Sequence, residues 1–144
     1  MTLCQESSII HTKSFLEAIT TLDKGRALEV AAGDGQLTRD LLGSLFQKVD
    51  CFDQCPIAVS KLEELRSNIA AIDLVDQYSM QNYQWQQAYT GIFLRWCVGY
   101  LGDQQLVDFL KTAKAHLSST QGFGLRGSSP TAFIFVLDNV LEED

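Results

Sequence analysis

The chain has 144 residues, of which 46% are hydrophobic and 20% are charged, a composition typical of one globular domain. Its net charge of −7 argues against a nucleic-acid binder, because neutralising backbone phosphates requires clustered Lys and Arg. No apolar run approaches the roughly 20 residues of a membrane span, and no signal-peptide pattern opens the chain. We therefore expect a cytoplasmic or nuclear protein that binds neither nucleic acid nor membrane.

The four cysteines lack the spacing of zinc ligands or of a redox pair. They are Cys4, Cys51, Cys55 and Cys97. We expect them to be reduced and to act as small apolar fillers, as in a reducing compartment. The sequence predicts no metal site.

We interpret residues 1–144 as a single domain with a helical lead-in over residues 1–25 and a core over residues 26–140. A partial helical stripe predicts a helix over residues 8–22. Apolar runs then predict two strands, over residues 26–31 and 48–52. A helix that ends near Phe46 connects them.

The second half continues the alternation of helices and strands. Pro56 stands where a first-turn proline belongs, and Asp103 is expected to cap a later helix. Three further strands are predicted, over residues 78–85, 92–98 and 131–137, and residues 118–130 are rich in Gly and Ser and predict a loop. Alternating strands and helices predict an α/β fold with a doubly wound, mainly parallel sheet.

The turn after the first strand carries the clearest functional signal. The apolar run ends at Gly33-Asp34-Gly35, and a helical pattern begins at once. Such a turn lets the polar groups of a ligand approach main-chain N–H groups. Asp53 ends the second strand, twenty residues after Gly33, the spacing at which nucleotide-binding α/β units hold ribose hydroxyls. These features favour a nucleoside-containing cofactor, with a turn-capping role for Asp53 as the alternative.

Several segments over roughly residues 12–140 together resemble the S-adenosylmethionine-dependent methyltransferases that modify the α-amino group of protein N-termini. The matching text is Ala27-Leu28-Glu29, Gly33-x-Gly35-x-x-Thr38, Leu41-Leu42, Leu45-Phe46, Val49-Asp50-x-x-Asp53, Asn82-Tyr83, Arg95-Trp96-x-Val98-Gly99-Tyr100-Leu101-x-Asp103-Gln104-x-Leu106-x-x-Phe109-Leu110 and Asp138-Asn139. The first motif is shared by all seven-stranded methyltransferases. The stretch from Trp96 to Leu110, called the Trp96 block below, and the pair Asp138-Asn139 are more specific and point to this family. The resemblance implies the Rossmann-like fold of class I methyltransferases.

The resemblance also implies a set of residues that bind S-adenosylmethionine. They are Glu29, Gly33, Gly35, Gln36, Asp53, Ala88, Tyr89 and Trp96. Within this set, the two glycines would lie at the methionine end and Asp53 at the ribose hydroxyls. Ala88 and Tyr89 would lie near the adenine, and Trp96 would line the reaction site, where its ring could contact the sulfonium.

Several positions depart from the family pattern. The first turn glycine is Ala31, and the arginine expected to bind the methionine carboxylate is Gln36, which leaves a neutral hydrogen bond. The glutamine expected before Trp96 is Arg95. An expected histidine is Tyr100, and a phenol is a poor base at neutral pH. These departures put cofactor affinity and catalysis in doubt.

The last predicted strand adds a structural expectation. The family's substrate-deprotonating aspartates and last two strands have no counterpart before Asp144, which leaves Tyr100, Asp138 and Asn139 as weak catalytic candidates. Residues 132–137 would then form an apolar strand with an open edge. We expect a protein partner or a second copy to cover that edge.

Two functional hypotheses follow, with a third less favoured. In the first, the chain is a degenerate homologue of the α-N-terminal methyltransferases that keeps an S-adenosylmethionine-type site, has doubtful catalysis and works in an assembly. In the alternative, it is an active N-methyltransferase on protein N-terminal amines, or a fragment of one. A dehydrogenase-type nucleotide-binding domain is disfavoured by the Trp96 block.

Overall fold

The computed structural model describes residues 3–19, 22–118 and 132–138, and these contain a five-stranded parallel sheet with helices on both faces. The strands are β1 (Arg26–Val30), β2 (Lys48–Asp53), β3 (Ile72–Gln77), β4 (Gly91–Arg95) and β5 (Phe133–Leu137), in the spatial order β3-β2-β1-β4-β5. The helices are α1 (Leu3–Ala18), a π-helical turn (Thr38–Leu42) that continues into the short α2 (Gly43–Leu45), α3 (Pro56–Asn68), a 3₁₀ turn (Val98–Tyr100) and α4 (Asp103–Ala115). The predicted α/β class is confirmed.

The central strands form because their sequences are apolar on both faces. Ala27, Leu28 and Val30 of β1 are all essentially inaccessible to solvent, as expected for a parallel strand covered on both sides. One face packs against α1, α2 and α3, and the other against α4 and the segment that precedes β4.

The third strand lies earlier than the sequence predicted. The prediction of a strand over residues 78–85 is wrong, because β3 occupies Ile72–Gln77. The aromatic rings of residues 78–85 pack on one another and on the sheet, as the stacked Phe52 and Tyr83 rings show, with centroids 4.0 Å apart. Aromatic packing therefore replaced strand pairing in this segment.

Other element boundaries differ by a few residues. The first helix ends at Ala18 and not at residue 22. Asp103 is the first residue of α4 and not its cap; Gly102 precedes the helix and its N–H donates to Gln105 Oε1 at 3.0 Å. Most of the predicted loop over residues 118–130 lies outside the described residues.

At the outer edge of the sheet, β5 pairs in register with β4, from Gly91 opposite Phe133 to Arg95 opposite Leu137. Within the described ranges, no strand pairs with the other side of β5. Val136 of this strand is 47% exposed. The expectation that a partner covers this edge stays a prediction.

Candidate functional site

A cavity of about 640 Å³ opens at the carboxyl ends of β1, β2, β3 and β4. In open α/β sheets this is the edge at which ligands bind. The lining residues come from the ends of these strands and from the segments that follow them. They are Glu29, Val30, Ala31, Ala32, Gly33, Asp34, Gln36, Phe52, Asp53, Gln54, Cys55, Tyr78, Ser79, Met80, Gln81, Arg95, Trp96, Cys97 and Tyr100.

The turn after β1 forms one wall of the cavity. Ala31 has φ +49° and Gly33 has φ +59°, so both adopt the left-handed region in which a β-carbon is unfavourable. A β-carbon on Gly33 would meet no atom within 4 Å. The main chain of Gly33 is therefore open to a ligand, whereas Ala31 carries a methyl group at the position where the family pattern has glycine.

Gly35 has a different role from the one the resemblance implied. It does not line the cavity. A β-carbon there would lie 2.6 Å from Leu65 and 2.7 Å from Leu62, both on α3. Gly35 is thus required for close packing between the turn and α3, and its assignment to the cofactor stays a prediction.

Asp53 is fixed at the end of β2 by two main-chain donors. Its Oδ2 accepts from the N–H of Gly33 and its Oδ1 from the N–H of Cys55, each at 2.9 Å. The carboxylate therefore connects the turn after β1 with the start of α3 and lines the cavity half-buried. Asp53 is thus a turn carboxylate that also faces the candidate site, and its role at ribose hydroxyls stays a prediction.

Glu29 lies in the cavity floor and is 3% exposed. Burial raises the pKa of this carboxyl to about 7, although a hydrogen bond from Thr38 and the charge of Arg95 lower it. A carboxyl that titrates near neutrality at a cavity is typical of a functional site. Glu29 can hold a proton or bind a cationic group there.

Arg95 and Trp96 stand at the end of β4. The Arg95 guanidinium carbon lies 5.1 Å from the centroid of the Trp96 ring, a cation–π distance. Arg95 Nη1 donates to Ser8 Oγ of α1 at 2.9 Å. Its Nε is buried and has no hydrogen-bond partner in the described part of the chain. Trp96 has φ +55°, a strained conformation for a bulky residue.

Several cavity residues were not predicted from the sequence. Tyr78, Ser79, Met80 and Gln81 follow β3 and face the cavity, but they were assigned to a strand. The signal that could have found them is the group of apolar residues just before them, Ile72, Leu74 and Val75 of β3. Arg95 was noted only as a departure from the family pattern.

The predicted adenine-binding residues, Ala88 and Tyr89, do not line the cavity. Tyr89 is fully buried at the amino end of β4, and its hydroxyl donates to Asp50 Oδ2 at 2.7 Å. Ala88 precedes it on the surface. Because parallel strands share one direction, residues before β4 lie at the opposite edge from the cavity.

Among the catalytic candidates, Tyr100 lines the cavity and is 69% exposed. Asp138 follows β5 and is exposed. Its charge, together with burial as the larger cause, raises the pKa of Cys97, a cavity residue, to about 12. Asn139 lies outside the described residues. The structure thus brings Glu29, Gly33, Gln36, Asp53, Trp96 and Tyr100 together at one cavity.

The described ranges contain neither a candidate metal site nor a membrane-spanning helix. No group of three or more His, Cys, Asp or Glu side chains there could hold a metal ion. No helix there is long and apolar enough to cross a membrane. The groups that line the cavity include carboxylates, one guanidinium, aromatic rings and open main chain.

Curated proteins with related sequences are N-terminal methyltransferases. The N-terminal Xaa-Pro-Lys N-methyltransferase 1 of Danio rerio is 31% identical over 142 residues, which cover 92% of this chain and 57% of that protein. The alpha N-terminal protein methyltransferase 1 of Drosophila melanogaster is 28% identical over 130 residues, 88% of this chain and 43% of that protein. The chain thus spans about half the length of these relatives.

Solved structures with the same fold are also methyltransferases. A SAM-dependent methyltransferase of Leishmania major superimposes with a TM-score of 0.79 at 21% identity, over 92% of this chain and 49% of that one. One from Clostridium acetobutylicum gives a TM-score of 0.66 at 18% identity, over 83% and 48%. The sequence profile of the AdoMet dependent proline di-methyltransferases matches residues 4–139. The chain therefore belongs to this methyltransferase family, and its fold is that of the class I SAM-dependent methyltransferases.

Proposed function

We propose that the cavity binds S-adenosylmethionine and that the chain is a cofactor-binding, methyltransferase-like domain that does not itself methylate protein N-terminal amines. The observation that carries the proposal is the arrangement of Gly33 and Asp53. An open main-chain turn and a fixed carboxylate lie side by side at the carboxyl ends of two central strands. Membership of the family supports this interpretation.

The residues present fit this cofactor. The cavity of about 640 Å³ is within the usual range for cofactor sites. The space beside Gly33 admits a ligand close to the backbone, and the buried Nε of Arg95 lacks an acceptor in the described part of the chain. Acceptors for a cation and for hydroxyl groups are available on Glu29 and Asp53.

Each residue has a distinct role in the proposed site. Asp53 accepts hydrogen bonds from ribose hydroxyls, and the main chain at Gly33 lies against the methionine part. Glu29 binds the methionine ammonium, and Gln36 supplies a neutral hydrogen bond at the same end. Trp96 offers an aromatic face to the sulfonium. When bound, S-adenosylmethionine would supply an electrophilic methyl group.

Methyl transfer to an amine needs a proton acceptor, because a protonated amine has no free electron pair. Tyr100 is largely exposed at the rim, and Glu29 is buried in the floor, where the proposed site uses it for the cofactor. This distribution supports a domain that binds cofactor without catalysis. We further propose that a second copy of the chain binds along the edge of β5; sedimentation as a monomer would contradict this.

The alternative is an active N-methyltransferase on protein N-terminal amines. One observation favours it: Tyr100 lines the cavity, and the charge of Asp138 acts on Cys97, another lining residue. In this alternative, Tyr100 or Asp138 accepts the proton of the amine.

Calorimetry with S-adenosylmethionine and its demethylated product tests the cofactor proposal. We expect saturable binding of both, which Asp53→Ala weakens. No detectable binding at millimolar ligand would overturn the proposal. The matched control is Asp103→Ala, which removes an exposed carboxylate that does not line the cavity.

A methyl-transfer assay distinguishes the cofactor-binding domain without catalysis from the active N-methyltransferase. The chain is incubated with labelled S-adenosylmethionine and a peptide that begins Xaa-Pro-Lys. We expect no transfer above background, even where calorimetry shows binding. Turnover that Tyr100→Phe or Asp138→Asn abolishes would establish the active alternative instead.

A further inference from the structure

The charge of the cavity lining is unbalanced. Its acidic residues are Glu29, Asp34 and Asp53, whereas Arg95 is the only Lys or Arg among the described lining residues. A ligand that complements this lining carries positive or hydroxyl groups for the acids and one anionic group for Arg95. A zwitterionic amino-acid group has this chemistry, whereas a polyphosphate would be repelled by the three carboxylates.

Arg95 lines the cavity, and its guanidinium has one buried donor that is not used. Nη1 donates to Ser8 Oγ, while Nε is buried and has no hydrogen-bond partner in the described part of the chain. Glu29 is close enough for the charges to interact, but the two side chains form no ion pair with each other in that part. A buried donor without an acceptor is unfavourable, and a ligand carboxylate would remove that cost.

The guanidinium is also held in place before any ligand arrives. The centroid of the Trp96 ring lies 5.1 Å from its carbon. The main-chain N–H of Trp96 donates to the Leu137 carbonyl at 2.8 Å. Arg95 itself pairs with Leu137 in the sheet. A fixed planar fork loses little freedom when it binds a carboxylate through two parallel hydrogen bonds.

We propose that Arg95 binds a carboxylate of the ligand in this cavity. The inference rests on the proposed function, under which the group is the α-carboxylate of the methionine part of S-adenosylmethionine. Gln36 lines the same cavity and is neutral, so Arg95 supplies the charge that Gln36 lacks.

The test compares two ligands that differ in the amino-acid part. S-adenosylhomocysteine carries the carboxylate, and 5′-methylthioadenosine has the nucleoside and sulfur without it. In calorimetry, Arg95→Gln should weaken S-adenosylhomocysteine about tenfold to a hundredfold and leave 5′-methylthioadenosine unchanged. The matched control is Arg39→Gln, because Arg39 is an exposed arginine that pairs with Asp40 and does not line the cavity.

The outcomes separate this inference from the proposed function. Equal effects on both ligands, or no effect on either, would overturn the role of Arg95 while leaving the cofactor proposal intact. Failure of the unmodified protein to bind either ligand would overturn both. If Arg95→Gln does not fold, as judged by circular dichroism, Arg95→Lys keeps the charge without the fork. It should weaken S-adenosylhomocysteine selectively, and an unchanged affinity for that ligand would contradict the inference.

Discussion

The two ends of the sheet each contain a buried carboxylate, but the two carboxylates differ in how many hydrogen bonds they accept. At the amino end, Asp50 is 0% exposed and accepts from Arg26 Nη1 at 2.6 Å, from the Tyr89 hydroxyl at 2.7 Å and from the Leu74 N–H at 3.0 Å. At the carboxyl end, Glu29 is 3% exposed and receives hydrogen bonds only from Thr38 among the described residues.

In the described ranges, backbone strain and unpaired polar groups also lie at the carboxyl end of the sheet. Ala31 and Trp96 are the non-glycine residues with positive φ in the described ranges, and both lie at the cavity. The unpaired Nε of Arg95 lies there as well. The amino end is thus arranged for stability, whereas the carboxyl end retains strained and unsatisfied groups that a ligand can stabilise.

The largest expected effect is at the amino end. Asp50→Ala should reduce the free energy of unfolding by about 3–5 kcal/mol, because it removes a buried carboxylate that pairs with the half-buried Arg26 and is the acceptor of the Tyr89 hydroxyl and the Leu74 N–H. Urea unfolding measures the loss. The control is Asp73→Ala, which removes the other partner of Arg26, a carboxylate with 40% side-chain exposure. That variant should cost less than about 1 kcal/mol, and equal losses would contradict the special role of Asp50.

At the carboxyl end, Glu29→Gln should stabilise the protein above neutral pH. The folded protein keeps the Glu29 proton up to about pH 7, whereas the unfolded chain releases it near the ordinary value of 4.5. The unfolded state therefore binds fewer protons between these values, and the contribution of Glu29 to stability falls as pH rises through this window.

Removal of the Glu29 carboxyl should abolish this contribution and raise stability at pH 8 by up to about 3 kcal/mol relative to the parent chain. Little difference is expected at pH 4. Urea unfolding across this pH range measures it, and Asp34→Asn at the exposed rim is the control. A pH-independent difference between the parent chain and Glu29→Gln would show that the carboxyl does not titrate in the window.

How far the sequence predicted the fold depended on the burial of each strand. Apolar runs located β1, β2 and β4 within a few residues. The third strand was missed because two aspartates interrupt the apolar residues of Ile72–Gln77, while the neighbouring aromatic rings imitate a strand pattern. Their burial depends on stacking across the tertiary structure, as for Phe52 and Tyr83.

The candidate site was predicted where local spacing determines it and missed where distant contacts do. The positions of Gly33 and Asp53 could be predicted because both belong to one β-α-β unit. Gly33 lies in the turn after the first strand, and Asp53 ends the second strand. The environment of Arg95 depends on Ser8, 87 residues away. Tyr89 precedes β4 and lies at the amino end of the sheet, where its hydroxyl donates to Asp50, a contact that the local sequence does not show.

The next expected effect concerns ligand binding at the carboxyl end. Asp53→Ala should weaken S-adenosylmethionine by about 1–3 kcal/mol, because two hydrogen bonds to ribose hydroxyls are lost. Asp53 also holds the N–H groups of Gly33 and Cys55, so Asp53→Asn, which keeps one oxygen acceptor, should lose less. Calorimetry gives the affinities, and thermal melts show whether the turn is intact. An unchanged affinity in both variants would remove Asp53 from the site.

The smallest effect tests whether the cavity end is strained. Ala31→Gly should raise the free energy of unfolding by up to about 1 kcal/mol, because glycine relieves a left-handed β-carbon that costs about 1–2 kcal/mol. The greater freedom of glycine in the unfolded chain, worth about 0.4–1 kcal/mol, offsets part of the gain. At the buried neighbour, Ala32→Gly should instead destabilise by roughly 0.5–1 kcal/mol, since no strain is relieved there. Opposite signs in urea unfolding would show that strain is confined to Ala31, whereas equal losses would mean that the carboxyl end is as relaxed as the amino end.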